Sequence, residues 1–523
     1  MANYKEAHIC QCLSRLATVR GDAIVTVYGH RRKTGTQFVR GVFSIARGLL
    51  QLGINPGDVV SISALNSDLY MEWMLAITYV GGIAAPLNYR WSLEEAMSAM
   101  EVAQPLLLVT DSSQGYWHSK FRIDYVPSLL WHVLIDSMSV DAKGTATIFA
   151  AELLKEPTER SVKLDYVWAP ERAAIICFTS GTTGRPKGAT ISHSAIVVQS
   201  LAKIAIVRYN ENDIYLHTAP LCHIGGISSA MAMLMAGGSH VIIPKFEAKK
   251  ASEAIREHLV TSFITVPTMM ADLISFIRTK QTSENFETVK KILNGGGTLS
   301  VDLIENATKL FPRAMLLTAY GMTETCSSLT FLTLHDPTKE NHFQQLCGFQ
   351  KSHSSCQEGV CIGMSVPHVE LRISQEDSSN TGKILTRGPH VMLRYWGQTP
   401  SKHLGPLQET WLDTGDIGHI DDHGNLWLIG RAEDRIKSGG ENIFPEEVEA
   451  VLSQHPGISK IVVVGVPDSR LAEIVVACIK LKDNWHWSDI CFNHSSSDKV
   501  QSVSSETLKQ FCREKNLTGY ALL

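Results

Sequence analysis

The chain has 523 residues, 44% of them hydrophobic, and a formal net charge of −4, which is length for about three to four domain-sized units with buried cores. The charge is spread without long blocks of one sign, so the basic face that a nucleic acid or an anionic membrane would want is missing. Eleven cysteines without a single C-x-x-C spacing exclude a paired-thiolate zinc site; several, such as Cys177 and Cys478, sit in apolar runs and read as buried reduced thiols of an intracellular protein.

The first ~170 residues alternate short apolar runs with helical patterns, as β-α units do. Val59–Ser63 predicts a strand. Met74–Ala85 is the longest apolar segment, shorter than the ~20 residues of a membrane span, and predicts a buried helix ending at Gly81-Gly82. Ser92, followed three residues later by Glu95, predicts a capped helix start. Leu106–Thr110 predicts another strand. From Ala173 to Thr318 the rhythm sharpens. Strands are expected at Ala173–Phe178, Val241–Ile243, Phe263–Val266 and Ile292–Leu293. Helices are expected at Ala248–His258 and Met269–Ile277. Continuous apolar strands separated by helices predict a largely parallel sheet covered on both faces. His335–Gln357 is polar and irregular, hence a surface loop. Asp421–Gly424 predicts a hairpin turn. Beyond Gly430 the order becomes helix (Pro445–Leu452), strand (Ile461–Val466), strand (Glu473–Leu481). The expected fold is therefore α/β: a large domain, 1–430, of layered, largely parallel sheets, and a small α+β domain, 431–523.

Thr179–Gly188 packs four hydroxyls, three glycines and a lysine into ten residues after the strongest strand. Glycines let backbone N–H groups approach a phosphate closely. Thr179, Ser180, Thr182 and Thr183 can donate to phosphate oxygens, Gly181 and Gly184 keep the backbone accessible, and Lys187 adds a positive charge. Pro186 before the lysine rules out a Walker A loop. The bland alternative is a solvated turn.

With this string the chain resembles the adenylate-forming superfamily, which includes acyl-CoA synthetases, luciferases and peptide-synthetase adenylation domains. Further motifs follow in that family's order over nearly the whole chain. Pro220–Gly226 resembles the motif bordering the acyl pocket, implying roles for His223 and Gly226. Asn294, Gly295, Gly296 and Gly297 resemble the run lining the adenine and acyl pockets. Thr268 falls in a string of the same kind. Tyr320-Gly321-Met322-Thr323-Glu324 matches the string whose aromatic stacks on adenine, whose Thr contacts the α-phosphate and whose Glu holds Mg²⁺. Asp416 and Arg431 fall at the ribose-binding positions and Glu433 at the hinge. Lys437 falls where a second active state forms for coenzyme A, after a hinge rotation that makes the small domain mobile. The resemblance thus implies ATP, Mg²⁺ and coenzyme A, with a small carboxylic acid as partner.

Ala85–Trp91, Pro220–Gly226, Ile264–Met270 and Ile292–Gly297 resemble the plant acid–CoA ligases acting on 2-succinylbenzoate in phylloquinone synthesis, which implies chloroplast or peroxisome. Gly382–Gly388 departs from the string usual in 4-coumarate ligases. A second carboxylate on the acid asks for a polar anchor, with Arg90, Ser229 and Thr268 as candidates. The family's late Pro-x-x-x-x-Gly-Lys string has no counterpart before Leu523; Lys509 and Lys515 lie too early to replace it. Ala472 stands where relatives usually have Gly. The expectation from the tail is an incomplete small domain without its adenylation lysine. It opens an alternative reading as a non-catalytic nucleotide-binding protein.

Overall fold

The computed structural model describes residues 7–114, 125–136, 148–150, 165–179, 186–279, 285–339, 359–374, 380–398, 411–438, 441–468, 472–488 and 501–515. The chain divides into two compact units, one built from 1–352, 363–370 and 387–411, the other from 353–362, 371–386 and 412–523.

Two sheets organise the first unit. In one, Ile24–Tyr28, Ser239–Ile242, Ile214–His217, Ser262–Thr265, Lys291–Asn294 and Met315–Met322 are neighbours in that order, all parallel. Arg31–Thr34 closes one end as an antiparallel strand; at the other, Ser327–His335 is antiparallel to Met315–Met322 and pairs in turn, through Thr330 and Phe331, with Ser365 and Met364. The other is eight-stranded. Its centre, Val59–Ser63, pairs in parallel with Ile83–Pro86 and Leu107–Thr110. Ala173–Thr179, Lys187–Ser192 and Arg394–Tyr395 follow at one side, with antiparallel pairing from the first of these to the last. The central parallel strands, such as Val59–Ser63, Ile83–Pro86 and Ser262–Thr265, are short and buried on both faces, as crossover helices on a parallel sheet require. The predicted capping box is present: Ser92 Oγ accepts from Glu95 N, and Glu95 Oε2 accepts from Ser92 N.

The apolar run at Met74–Ala85 divides differently from its prediction. The helix spans Asp68–Tyr79, Gly81 turns the chain at φ +78°, and Ile83–Pro86 is a strand. Continuous burial gives no periodicity with which to separate a buried helix from a buried strand. The predicted loop after His335 falls mostly on 340–358, outside the described residues. None of the helices among the described residues is long and apolar enough to cross a membrane.

In the second unit the hairpin Leu412–Ile420/Leu426–Arg431 turns at Asp421–Gly424 as predicted. A four-stranded antiparallel sheet contains Glu441–Ile443, Ile436–Ser438, Ala472–Leu481 and Ile458–Asp468. Helices Pro445–Leu452 and Ser505–Glu514 contribute Val448, Leu452, Leu508 and Cys512 to its core. Cys478 corrects the buried-thiol expectation: it is exposed. Side chains alternate along a strand, so Val475 points into the core and Cys478 to solvent. Cys10, Cys12, Cys177, Cys222, Cys326 and Cys512 are buried and free.

One ion cluster ties the first helix-bearing edge together. Asp68 and Glu72, both 1% exposed, accept from Lys33 Nζ at 2.8 and 2.5 Å, and Arg31 also clasps Asp68. Burial alone would raise the Asp68 pKa, but Arg31 and Lys33 outweigh it and hold the carboxyl below its ordinary value. Its stabilisation is therefore present above the unfolded pKa and is lost as pH falls through the folded one. Asp68→Ala should destabilise this unit by about 3 kcal/mol, low in the range for buried pairs because Arg31 is partly exposed. Thermal unfolding should show the deficit at pH 7 and its shrinkage below about pH 4.

Candidate nucleotide and acyl site

The predicted site residues of the first unit collect where parallel strands end. Thr265, Asn294 and Thr318 are in register across adjacent strands. Thr268, Gly295–Gly297 and Tyr320–Glu324 follow them in the chain. Crevices beyond the carboxyl ends of parallel strands are where open α/β sheets bind ligands. Asn294 is buried and its Nδ2 donates to Gly297 O at 2.7 Å and Thr318 Oγ1 at 3.2 Å. These bonds hold the glycine turn, in which Gly296 has φ +67° and Gly297 φ +159°. A Cβ on Gly295 would meet nothing within 4 Å, so its backbone is open to a flat ring. Thr268 is exposed at the start of the helix Pro267–Thr279.

Tyr320–Glu324 is a forced turn. Gly321 pairs with Ser328 across an irregular antiparallel ladder, and a Cβ there would overlap the Ser327 carbonyl. The short 3₁₀ turn Thr323–Thr325 follows, then Cys326 and Ser327 at φ +52° and +105°. Non-glycine residues in such conformations store strain that the surroundings must hold. Gln199 does so: its Nε2 donates to Thr325 O at 3.0 Å and Ser328 O at 2.8 Å.

Glu324 is buried, and Tyr395, absent from the sequence-based candidates, donates its hydroxyl to Glu324 Oε1 at 2.8 Å. Burial first, and then the Glu324 charge, push the Tyr395 pKa well up, keeping it a donor. Lys187 Nζ lies 5.7 Å from the Tyr395 ring centroid, within cation–π range. Tyr395 reaches this position because its strand pairs with Lys187–Ser192, with Trp396 N donating to Gly188 O at 2.7 Å and Met392 N to Glu324 O at 2.8 Å. Lys187, Tyr395 and Glu324 thus form one polar row. Composition does not distinguish Tyr395 from a core aromatic.

Thr179 ends its strand beside Lys187, its Oγ1 donating to Lys187 O at 3.5 Å. Ser180, Gly181, Thr182, Thr183 and Gly184 lie outside the described residues. His223 caps the helix Ile224–Ala236 and is solvent-accessible. The protein packed around it, and then the Arg90 charge, lower its pKa, so the ring is neutral at pH 7. Gly226 permits helix start and loop to touch, since a Cβ would overlap the Pro220 carbonyl.

The second unit brings Asp416 and Arg431 opposite each other in its hairpin, with Arg431 Nε 3.3 Å from Asp416 Oδ1. Asp416 is buried, while Arg431 and Glu433 are exposed. Lys437 lies on the strand Ile436–Ser438, opposite Asn442.

A buried carboxylate and a glycine turn thus lie at the strand ends of an α/β fold, where such folds bind ligands. The AMP-binding enzyme family model matches residues 13–396, and the AMP-binding enzyme C-terminal domain matches 447–522. The chain belongs to this family of AMP-binding enzymes. It is 54% identical over 532 residues to the chloroplastic/peroxisomal 2-succinylbenzoate–CoA ligase of Arabidopsis thaliana, covering 100% of this chain and 93% of that one. It is 29% identical to the indoleacetate–CoA ligase of Aromatoleum aromaticum, covering 83% and 80%. The o-succinylbenzoate CoA synthetase of Bacillus subtilis, solved with the acyl-adenylate intermediate OSB-AMP, superposes with a TM-score of 0.75 at 25% identity, covering 98% of this chain and 92% of that one.

The expectation of an incomplete small domain is corrected by the C-terminal-domain match, which extends to residue 522. A single lysine-bearing string was too narrow a sign of a domain whose core is built elsewhere, from Ile436 to Cys512. The non-catalytic reading rested instead on the absence of the lysine-bearing string, which a domain match does not address.

Tyr395→Phe should lower kcat/KM for ATP about tenfold, the value of one hydrogen bond to a charged group. Steady-state kinetics should show this together with a raised Mg²⁺ requirement, while the melting temperature moves little.

Proposed function

We propose that the chain is an ATP-dependent 2-succinylbenzoate–CoA ligase that works through an acyl-adenylate. The observation that carries this is the Lys187–Tyr395–Glu324 row at the strand ends, in a chain 54% identical along its whole length to a ligase of that name. The acid's carboxylate attacks the α-phosphorus of ATP, pyrophosphate leaves, and the thiol of coenzyme A then displaces AMP to give the thioester. The loop from Thr179 to Lys187 grips the phosphates, and Thr323 donates to the α-phosphate. Tyr320 stacks on adenine, which lies against Gly295 and Gly296. Asp416 and Arg431 take the ribose hydroxyls. His223, Gly226, Thr268, Asn294 and Gly297 border the acyl group.

Glu324 fits Mg²⁺: it is a buried carboxylate with one oxygen held by Tyr395. Among the described residues no cluster of three or more His, Cys, Asp or Glu is suited to a metal. One carboxylate plus nucleotide phosphates is the usual donor set for Mg²⁺. When bound it supplies neutralisation of the phosphate charge. The domain division expected at 430/431 falls inside the second compact unit, with Glu433 at the hinge and Lys437 serving the thioester step. The relative's name motivates a chloroplast or peroxisome location.

The test is thioester formation with ATP, Mg²⁺, coenzyme A and one of 2-succinylbenzoate, 4-coumarate or a medium-chain fatty acid. 2-Succinylbenzoate should be preferred by at least about a hundredfold in kcat/KM, as expected where buried polar groups read a substrate; comparable turnover of 4-coumarate would overturn the substrate assignment. Glu324→Gln should lower kcat by about 10²–10³, the cost of losing one preorganised electrostatic group.

A further inference from the structure

The helix His193–Val207 carries a lysine that none of these steps uses. Lys203 is completely buried. Its Nζ donates to Ser228 Oγ at 2.5 Å, Ser229 Oγ at 3.2 Å and Ser327 Oγ at 3.1 Å. All three partners are neutral hydroxyls, and among the described residues no carboxylate pairs with it. The contrast with Lys33 is direct, since that lysine meets two buried carboxylates. Burying an ammonium without a countercharge costs several kcal/mol, and burial lowers the Lys203 pKa to about 7. A methionine would fill the same volume without that cost.

The elements that enclose Lys203 are those that build the site. Ser228 and Ser229 lie on the helix that His223 caps, five and six residues beyond it, or roughly 8 Å along the axis. Ser327 is the strained residue that ends the Glu324 turn. Hydroxyls can reverse from accepting to donating. The same cluster can therefore turn donors toward an anion while Lys203 supplies the charge.

We propose that Lys203, with the hydroxyls of Ser229 and Ser327, binds the second carboxylate of a dicarboxylic acyl substrate, the one that is not activated. This rests on the 2-succinylbenzoate reading and gives it a specificity residue. The bound carboxylate completes an ion pair that the protein leaves half-built. A monocarboxylic acid leaves the buried charge uncompensated, so the cluster selects against it. Ser229, one of the three candidates for an anchor raised from sequence, is placed in the cluster. Arg90 is exposed and turned onto Tyr89, and Thr268 is exposed.

The test compares wild type with Lys203→Met on 2-succinylbenzoate and on two monoacid analogues, each lacking one carboxylate. Wild type should prefer the diacid over whichever analogue is turned over. In Lys203→Met that preference should fall about 30–100-fold through KM for the diacid, as loss of a hydrogen-bonded charge implies. KM for ATP should hold steady and the melting temperature should hold or rise. An undiminished preference, or an equal loss on diacid and analogue, overturns the proposal. Should the Met variant fail to fold, Ser229→Ala takes its place, with an expected fall in the same ratio of about tenfold and the same overturning outcomes. If wild type rejects 2-succinylbenzoate but takes another diacid, the substrate assignment falls and the Lys203 ratio is read on that acid. If wild type takes only monoacids, both fall.

Discussion

The site depends on how closely the strand Met315–Met322 and its antiparallel partner Ser327–His335 approach at Gly321. No side chain fits between Gly321 and the Ser327 carbonyl. That closeness turns the chain within Thr323–Cys326 and leaves Cys326 and Ser327 at positive φ. It also buries Glu324 next to the ends of the parallel strands. The strain needs an external clamp, and Gln199 supplies it from a separate helix through two carbonyls. Glycine, strain and clamp are three parts of one constraint, because relaxing the turn would move the carboxylate.

The second requirement is that a buried carboxylate keep an oriented charge. Tyr395 meets it by donating to Glu324 from a strand added at the far side of the eight-stranded sheet. The same strand pairing places the ring under Lys187. Cation, ring, hydroxyl and carboxylate are therefore ordered by backbone hydrogen bonds, which are less deformable than long side chains. On the proposed reading, a phosphate arriving here would find its positive and metal-binding partners already in position, which is the preorganisation that electrostatic catalysis needs.

Much of this was legible in sequence, for identifiable reasons. Short apolar runs between helical patterns predicted parallel strands: Ala173–Phe178 stops one residue short of the observed strand, and Phe263–Val266 is displaced from the observed one by a single residue. The capping pair Ser92 and Glu95 was readable because its chemistry is local. Gly321 and Glu324 were singled out because Tyr320–Glu324 resembles a five-residue string of the adenylate-forming superfamily. What failed to show was non-local. Tyr395 acts 71 residues away from Glu324, and no spacing rule links them. Cys478 looked buried because an apolar run on a strand does not say which of its faces is covered. The small domain looked unfinished because its core residues are scattered from Ile436 to Cys512, and one short string stood in for all of them.

The two buried charge clusters of the first unit show how electrostatics separates scaffold from site. Around Asp68 and Glu72 every charge has an opposite within the chain. Such a cluster has no electrostatic need of a ligand, and it sits at an edge, tying a hairpin to a helix. Around Lys203, among the described residues, the charge has only dipoles for company. Dipoles of three hydroxyls soften the burial of a cation but do not cancel its charge, and the low pKa is the physical record of that deficit. A scaffold loses nothing by replacing such a lysine with an apolar residue, so its position between the His223 helix and the Glu324 turn is better explained by something that arrives with the missing charge. A diacid activated at one end must be held at the other, and a half-built ion pair under the helix proposed to border the acyl group meets that need without a mobile surface arginine.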